Sequence, residues 1–134
     1  MAVKRSETLE IRTQEDVVRV RQVVREWSIA VGFRLVEQTK LVTAASEIAR
    51  NVLHYGDGGT VLLEALDEEP RRGLRLSFDD QGPGIPDLEL ALKDGFTTGS
   101  GLGLGLGGAR RLVHEFVLES KVGVGTRVCL TQWR

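Results

Sequence analysis

The segment whose residue types and spacing most clearly suggest ligand binding is a glycine run from Gly95 to Gly107. Five glycines alternate with single residues from Gly99 onward. Glycine is unfavourable in strands and helices because it loses the most conformational entropy on folding, but it permits positive φ and close approach of backbone N–H groups to a ligand. The run leads into a helix-like segment that begins at Ala109. A glycine loop before a helix N-terminus binds anions, phosphate above all, and we therefore expect a nucleotide site.

Two other nucleotide motifs fit the sequence poorly. A Walker A loop requires a lysine, and the chain has none between Lys93 and Lys121. The segment from Gly103 to Gly108 matches G-x-G-x-x-G, but it follows a polar loop and lacks an acidic residue about 20 positions later. We therefore do not expect a dinucleotide site.

Glu47 and Asn51 are four residues apart in a segment with helical periodicity, so both lie on one face of the predicted helix. A carboxylate and an amide one turn apart place a proton acceptor beside an oxygen ligand for hydrated Mg²⁺. A solvated helix face is the alternative interpretation of this pair taken alone.

Asp80 continues the alternation of apolar residues from Leu74 to Phe78, so its carboxylate should face the buried side of a strand. A buried carboxylate is costly without a partner, which is either a protein group or a ligand donor such as an adenine amino group. A turn-initiating role before Gly82 is the alternative. Thr126 follows a second glycine-rich turn, and its hydroxyl either supports the same ligand or serves that turn.

Length and composition predict one domain spanning residues 1–134, with a core that needs no disulfide or metal, since 41% of the residues are hydrophobic. A net charge of −1 favours neither nucleic acid nor an anionic membrane as a partner. The single cysteine, Cys129, fits a reducing compartment. The polar N-terminal segment and the lack of a membrane-length apolar run lead us to expect a cytoplasmic protein.

Hydrophobic periodicity and turn residues predict the elements that must position these groups. A first helix should begin after Thr13 and end at Gly32, and a second should span Val36 to His54. Two strands, a short helix, a helix over Ala109 to Glu115 and a final hairpin should follow. The order predicts an α/β two-layer sandwich, in which a mostly antiparallel mixed sheet has helices on one face.

Taken together, four of these segments resemble the sequence boxes of the GHKL (Bergerat-fold) ATPase superfamily. They are, in order, Glu47–Asn51, Asp80–Gly84, Gly99–Gly107 and Gly123–Thr126. The chain is also similar, over nearly its whole length, to the small serine/threonine kinase branch of bacterial partner-switching systems. The segments that carry this similarity are Ser46–Asn51, Asp79–Asp87 and Asp94–Thr98. The resemblance implies the Bergerat fold.

The resemblance also implies a role for each matched residue. Asn51 would coordinate Mg²⁺, and Glu47 would be the catalytic base that activates the attacking hydroxyl. Asp80 would accept a hydrogen bond from the adenine amino group, and Thr126 would assist at adenine. The glycines would bring the backbone close to the base or cradle the phosphates of ATP: Gly82 and Gly84 at the base, and Gly101, Gly103, Gly105 and Gly107, with Gly99 in the same box, at the phosphates.

The implied activity is phosphorylation of a STAS-domain antagonist protein on Ser or Thr, after which the kinase binds a downstream partner such as a PP2C-type phosphatase. Three alternatives remain open: an anti-sigma factor with kinase activity, a non-catalytic ATP-gated binding module, and a kinase of a small molecule. The absence of a phosphoacceptor-histidine domain argues against a stand-alone sensor histidine kinase. Because no lysine or arginine lies between Gly95 and Gly108, backbone N–H groups and Mg²⁺ would have to balance the phosphate charge.

Overall fold

The computed structural model describes residues 2–92 and 105–134, and of Leu90 only the backbone. The elements in chain order are β1 (Ala2–Ile11), α1 (Gln14–Val31), α2 (Leu35–Tyr55), β2 (Gly59–Glu68), β3 (Arg71–Asp80), α3 (Leu88–Ala91), α4 (Gly105–Leu112), β4 (Glu115–Lys121) and β5 (Gly125–Trp133). The strands form one sheet in the order β1-β2-β3-β5-β4.

Helices α1 and α2 pack on each other and on one face of the sheet. The buried apolar strand residues on that face are Leu9, Ile11, Val61, Leu63, Leu74, Leu76, Phe78, Val128 and Leu130. The predicted two-layer sandwich is confirmed. Every pairing among the described strands is antiparallel, however, so the sheet lacks the parallel pairing of a mixed sheet.

The opposite face of the sheet is polar in part. Glu64 pairs with Arg75 across β2 and β3, with 2.9 Å between Oε1 and Nε, and this hydrogen bond raises the pKa of Arg75. Beside this pair, Ser77 Oγ lies 3.6 Å from the sulfur of Cys129. Within the part of the chain that the structure describes, no helix is long and apolar enough to cross a membrane.

The ends of α1 are those that the sequence predicts. Thr13 Oγ1 accepts a hydrogen bond from Asp16 N–H at 3.1 Å, and Asp16 Oδ2 accepts from Thr13 N–H at 3.1 Å, which completes a capping box. The N–H of Arg12 also donates to Asp16, and this bond lowers the pKa of the Asp16 carboxyl. Gly32, at φ 98°, ends the helix in the left-handed conformation.

The fourth helix differs from the prediction of Ala109 to Glu115. It begins inside the glycine run at Gly105 and ends at Leu112, because Leu106 and Ala109 share a face and are buried near α2. Glu115 instead begins β4, where it pairs with Thr131 of β5. The first turn of this helix was not predicted because its glycines have a low helix propensity. Packing against α2 determines where the helix begins.

We expect Thr13→Ala to lower the free energy of unfolding by about 1 kcal/mol, because Asp16 N–H would lose its capping acceptor. Urea denaturation of the wild type and the variant measures this change. Thr8→Ala, an exposed strand position outside the cap, is the matched control. Equal destabilisation by both substitutions would show that the cap contributes nothing specific.

Candidate functional site

Helix α2 holds Glu47 and Asn51 one turn apart on the same face, as the sequence predicts. The Glu47 side chain is only 8% exposed, and its Oε1 lies 3.0 Å from Nη2 of Arg50. Asn51, in the next turn, is half-buried. The opposite face of the same helix, including Ile48 and Ala49, is packed into the core. Core packing therefore fixes the direction in which the carboxylate and the amide point, and Arg50 balances the charge of the buried carboxylate.

Asp80 lies at the end of β3 and is half-buried. Its Oδ1 accepts hydrogen bonds from Gly82 N–H at 2.9 Å and from Thr126 N–H at 3.3 Å. The first bond is the turn contact and the second is a contact with a protein partner, so these two interpretations hold together, and the role of Asp80 toward a ligand remains a prediction. Oδ2 lies against Gly56, at the end of α2. Since both bonds among the described residues go to Oδ1, Oδ2 retains its capacity to accept a hydrogen bond from a ligand.

Two glycines allow the chain segments around Asp80 to approach closely. Gly125 has φ 145°, and a Cβ there would collide with the carbonyl of Asp80. Gly84 has φ 80°, and a Cβ there would lie 2.5 Å from the carbonyl oxygen of Lys121. The loop after β3 is consequently pressed onto the β4–β5 hairpin, and Gly123 N–H donates to Pro83 O at 2.9 Å across this contact.

Gly82 has a similar packing role, since a Cβ there would lie 2.6 Å from the Cα of Gly56. The structure thus accounts for Gly82 and Gly84 by contacts within the protein. Their predicted role in bringing the backbone close to a base remains a prediction. So does the role of Thr126 at the same base, although its N–H lies within hydrogen-bond distance of Asp80.

Three residues of the site were missed by sequence reasoning. Arg50 lies inside the Glu47–Asn51 segment, and its i+3 spacing from Glu47 was the available signal. Gly56 lies in the glycine-rich segment Gly56–Gly59, which by itself indicates only a turn. Ser120 sits in no motif, yet its Oγ lies 2.8 Å from both Ile85 N and Thr126 Oγ1.

The glycine run is described only in part. Gly105 and Gly107 are buried in the first turns of α4, which packs against α2, the helix that carries Glu47 and Asn51. Gly99, Gly101 and Gly103, and the segment Asp94–Thr98, lie outside the described residues. Their roles at the phosphates remain predictions.

The side chains of the site fit a magnesium ion that is coordinated mainly by the phosphates of a bound nucleotide and by water. No group of three His, Cys, Asp or Glu side chains among residues 2–92 and 105–134 is arranged to hold a metal. Mg²⁺ usually takes one or two protein ligands and completes its shell with substrate phosphates and water. Asn51, with one amide oxygen, fits that pattern. His114 has a structural role, since its Nδ1 accepts a hydrogen bond from Trp133 N–H at 2.9 Å.

The sequence matches a known protein family and several known proteins. The family model "Histidine kinase-, DNA gyrase B-, and HSP90-like ATPase" matches residues 36–133. The chain is 42% identical over 123 residues to the serine/threonine-protein kinase RsbT of Bacillus subtilis (strain 168), covering 92% of each chain. It is 33% identical over 101 residues to the anti-sigma F factor of Geobacillus stearothermophilus, covering 70% of this chain and 68% of that protein.

Solved structures show the same fold at lower sequence identity. The RsbU and RsbW domains of Rv1364c from Mycobacterium tuberculosis align with a TM-score of 0.67 and 22% identity, over 98% of this chain and 33% of that one. The mycobacterial sensor histidine kinase MprB aligns with a TM-score of 0.55 and 22% identity, over 96% and 97% of the two chains. The matches together confirm the predicted fold, the resemblance to GHKL ATPases and the homology to a serine/threonine-protein kinase.

We expect Gly125→Ala to destabilise the protein by about 1–3 kcal/mol, because the substitution adds backbone strain and a collision with Asp80. Gly123→Ala is the matched control, since Gly123 also has positive φ, at 81°, but a Cβ there would meet no atom within 4 Å. Thermal and urea unfolding of both variants separate the two effects. If Gly123→Ala costs as much as Gly125→Ala, the close approach to Asp80 contributes nothing to stability.

Proposed function

The chain belongs to the family of histidine kinase-, DNA gyrase B- and HSP90-like ATPases, and we propose that it transfers the γ-phosphoryl group of ATP to a Ser or Thr of a STAS-domain antagonist protein. The observation that carries this proposal is the buried Glu47 carboxylate, held by Arg50 one helical turn from Asn51. Phosphoryl transfer needs mainly positioning, charge neutralisation and an oriented nucleophile, and these side chains provide the protein's share of each.

Each group has a defined task in this proposal. Asn51 would hold Mg²⁺ through its amide oxygen, and the ion would supply positive charge against the phosphates. Glu47 accepts the proton of the attacking Ser or Thr hydroxyl. Asp80 accepts a hydrogen bond from the adenine amino group through Oδ2, because the hydrogen bonds to Gly82 and Thr126 use Oδ1. The N-terminus of α4 would contribute backbone N–H groups to the phosphate site.

Exposed apolar side chains near the site support a protein substrate. Val122 and Val124, at the tip of the β4–β5 hairpin, are 64% and 59% exposed, and Tyr55, at the end of α2, is 42% exposed. The hairpin tip contacts the loop after Asp80 through the bond between Gly123 and Pro83. The two valines are neighbours at the hairpin tip, and contiguous exposed apolar side chains are a feature of protein-binding surfaces.

Phosphorylation of the antagonist would release the kinase to bind a second protein. A phosphoryl group adds about 1.5 to 2 negative charges, which weakens an apolar contact surface on the substrate. The freed kinase surface would then bind a downstream regulator, such as a PP2C-type phosphatase. Catalysis and activation would in this way be alternative uses of one surface.

The match to the anti-sigma F factor favours a second candidate, an anti-sigma factor with kinase activity. The two candidates differ in the protein bound by the kinase after transfer. Affinity capture with purified sigma factors and with PP2C-type phosphatases from the same genome separates them. Retention of a sigma factor and not of a phosphatase would favour the second candidate.

We expect Glu47→Gln to bind ATP normally and to lose phosphoryl transfer by about 10²-fold or more, because the amide cannot accept the hydroxyl proton. Transfer is followed with γ-labelled Mg·ATP and STAS-domain proteins from the same genome. Glu26→Gln, an exposed site on α1, is the control. Undiminished labelling by Glu47→Gln would remove Glu47 from the role of base.

We expect Asn51→Ala to remove the part of ATP affinity that depends on Mg²⁺, because the helix would lose its metal ligand. Titration calorimetry with ATP, in Mg²⁺ and in EDTA, measures that part in the wild type and in the variant. An unchanged thermal midpoint would show that the variant is folded. Equal enhancement of ATP binding by Mg²⁺ in both proteins would exclude Asn51 as the ligand.

A further inference from the structure

Ser120 connects the loop after β3 to strand β5 beside Asp80. It lies near the end of β4, and its Oγ accepts a hydrogen bond from Ile85 N–H, in the loop after β3, at 2.8 Å. The same oxygen lies 2.8 Å from Thr126 Oγ1 and 3.2 Å from the carbonyl oxygen of Gly125, both on β5. The half-buried Ser120 hydroxyl therefore connects the loop after β3 to Thr126, whose N–H donates a hydrogen bond to Asp80.

The number of protons at Ser120 restricts what Thr126 can do. A serine hydroxyl has one proton and two lone pairs, and Ile85 N–H occupies one lone pair. If Ser120 donates its proton to the Gly125 carbonyl, Thr126 donates its own proton to the second lone pair of Ser120. If Ser120 instead donates to Thr126, the hydroxyl proton of Thr126 is directed to a ligand.

The second arrangement matches the chemistry of an adenine base. An ionised carboxylate such as that of Asp80 accepts hydrogen bonds and cannot donate them. It therefore selects a base with an amino group and repels a carbonyl oxygen. In adenine, the atom next to the carbon bearing the amino group is a ring nitrogen that accepts a hydrogen bond. A hydroxyl donor adjacent to the Asp80 carboxylate is therefore the complementary partner, and Thr126 keeps its proton for the base when Ser120 supplies the proton of the 2.8 Å contact between the two hydroxyl oxygens.

We propose that Ser120 is a positioning residue for nucleotide recognition, which acts through Thr126 by donating to its hydroxyl so that Thr126 donates to the base. This proposal rests on the proposed ATP-dependent function. It extends that function by assigning the orientation of the Thr126 hydroxyl to Ser120, across the 2.8 Å contact between the two oxygens. Since Ser120 lies on the hairpin and Glu47 lies on α2, the effect should fall on ATP affinity rather than on the chemical step.

The test is a double-mutant cycle on the affinity for Mg·ATP, measured by titration calorimetry. We expect Ser120→Ala and Thr126→Val each to weaken binding about tenfold, the size of one lost hydrogen bond. Because Ser120 acts through Thr126, the double variant should be about 10- to 20-fold weaker rather than about 100-fold. Transfer at saturating ATP should change by less than about threefold, with the KM for ATP raised.

Ser77→Ala is the matched control, because Ser77 is a buried serine of β3 that contacts Cys129 and, three residues before Asp80, faces the opposite side of the sheet. If Ser120→Ala does not fold, Ser120→Cys, which keeps the size but bonds weakly, replaces it in the cycle. Independent losses that multiply to about 100-fold, or no loss in Ser120→Ala, would overturn the proposal while the proposed function stands. A wild-type protein that does not bind ATP would overturn both.

Discussion

The Asp80 carboxylate is the contact on which the arrangement of the site depends. It joins the end of β3 to the following turn and to β5 through two backbone N–H groups, and it rests on Gly56 at the end of α2. The sheet, the hairpin and the helix therefore meet at one side chain. A carboxylate that accepts bonds from backbone N–H groups is held more firmly than a neutral acceptor would be. Glycines at the surrounding positions make this proximity sterically possible.

Helix α2 couples the hydrophobic core to the polar side of the site. Its inner face consists largely of small or branched apolar residues, including Ala45, Ile48 and Ala49, which allow the helix to lie close to the sheet. The packed core consequently fixes the position of the helix that carries the Glu47 carboxylate and the Asn51 amide. A regular element supported by packing positions reactive groups more accurately than a loop can. Arg50 adds a counter-charge at the point where Glu47 is least solvated.

The fold separates two kinds of surface. The Asp80 carboxylate lies between the end of α2 and β5, and exposed valines lie at the tip of the adjoining β4–β5 hairpin. This arrangement suits the proposed transfer from a nucleotide to a protein. The chemistry itself asks little of the protein beyond placement, because phosphoryl transfer is controlled mainly by position and charge.

Much of this protein follows from its sequence, because helices and strands leave a periodic apolar pattern and caps leave a local one. Those patterns predicted α1 with both of its ends, α2 to within one residue at each end, and the strand that carries Asp80. They misplaced α4, whose start within a glycine run depends on packing against α2.

The sequence by itself determined the fold class, the family and the residue types of the site. Only the tertiary structure decided how the site is held together. Ser120 meets Ile85 across 35 positions of the chain, and Asp80 meets Thr126 across 46. Contacts of that length leave no periodic trace in a single sequence, because a lone serine or glycine has the same local preferences whether or not a distant segment folds against it.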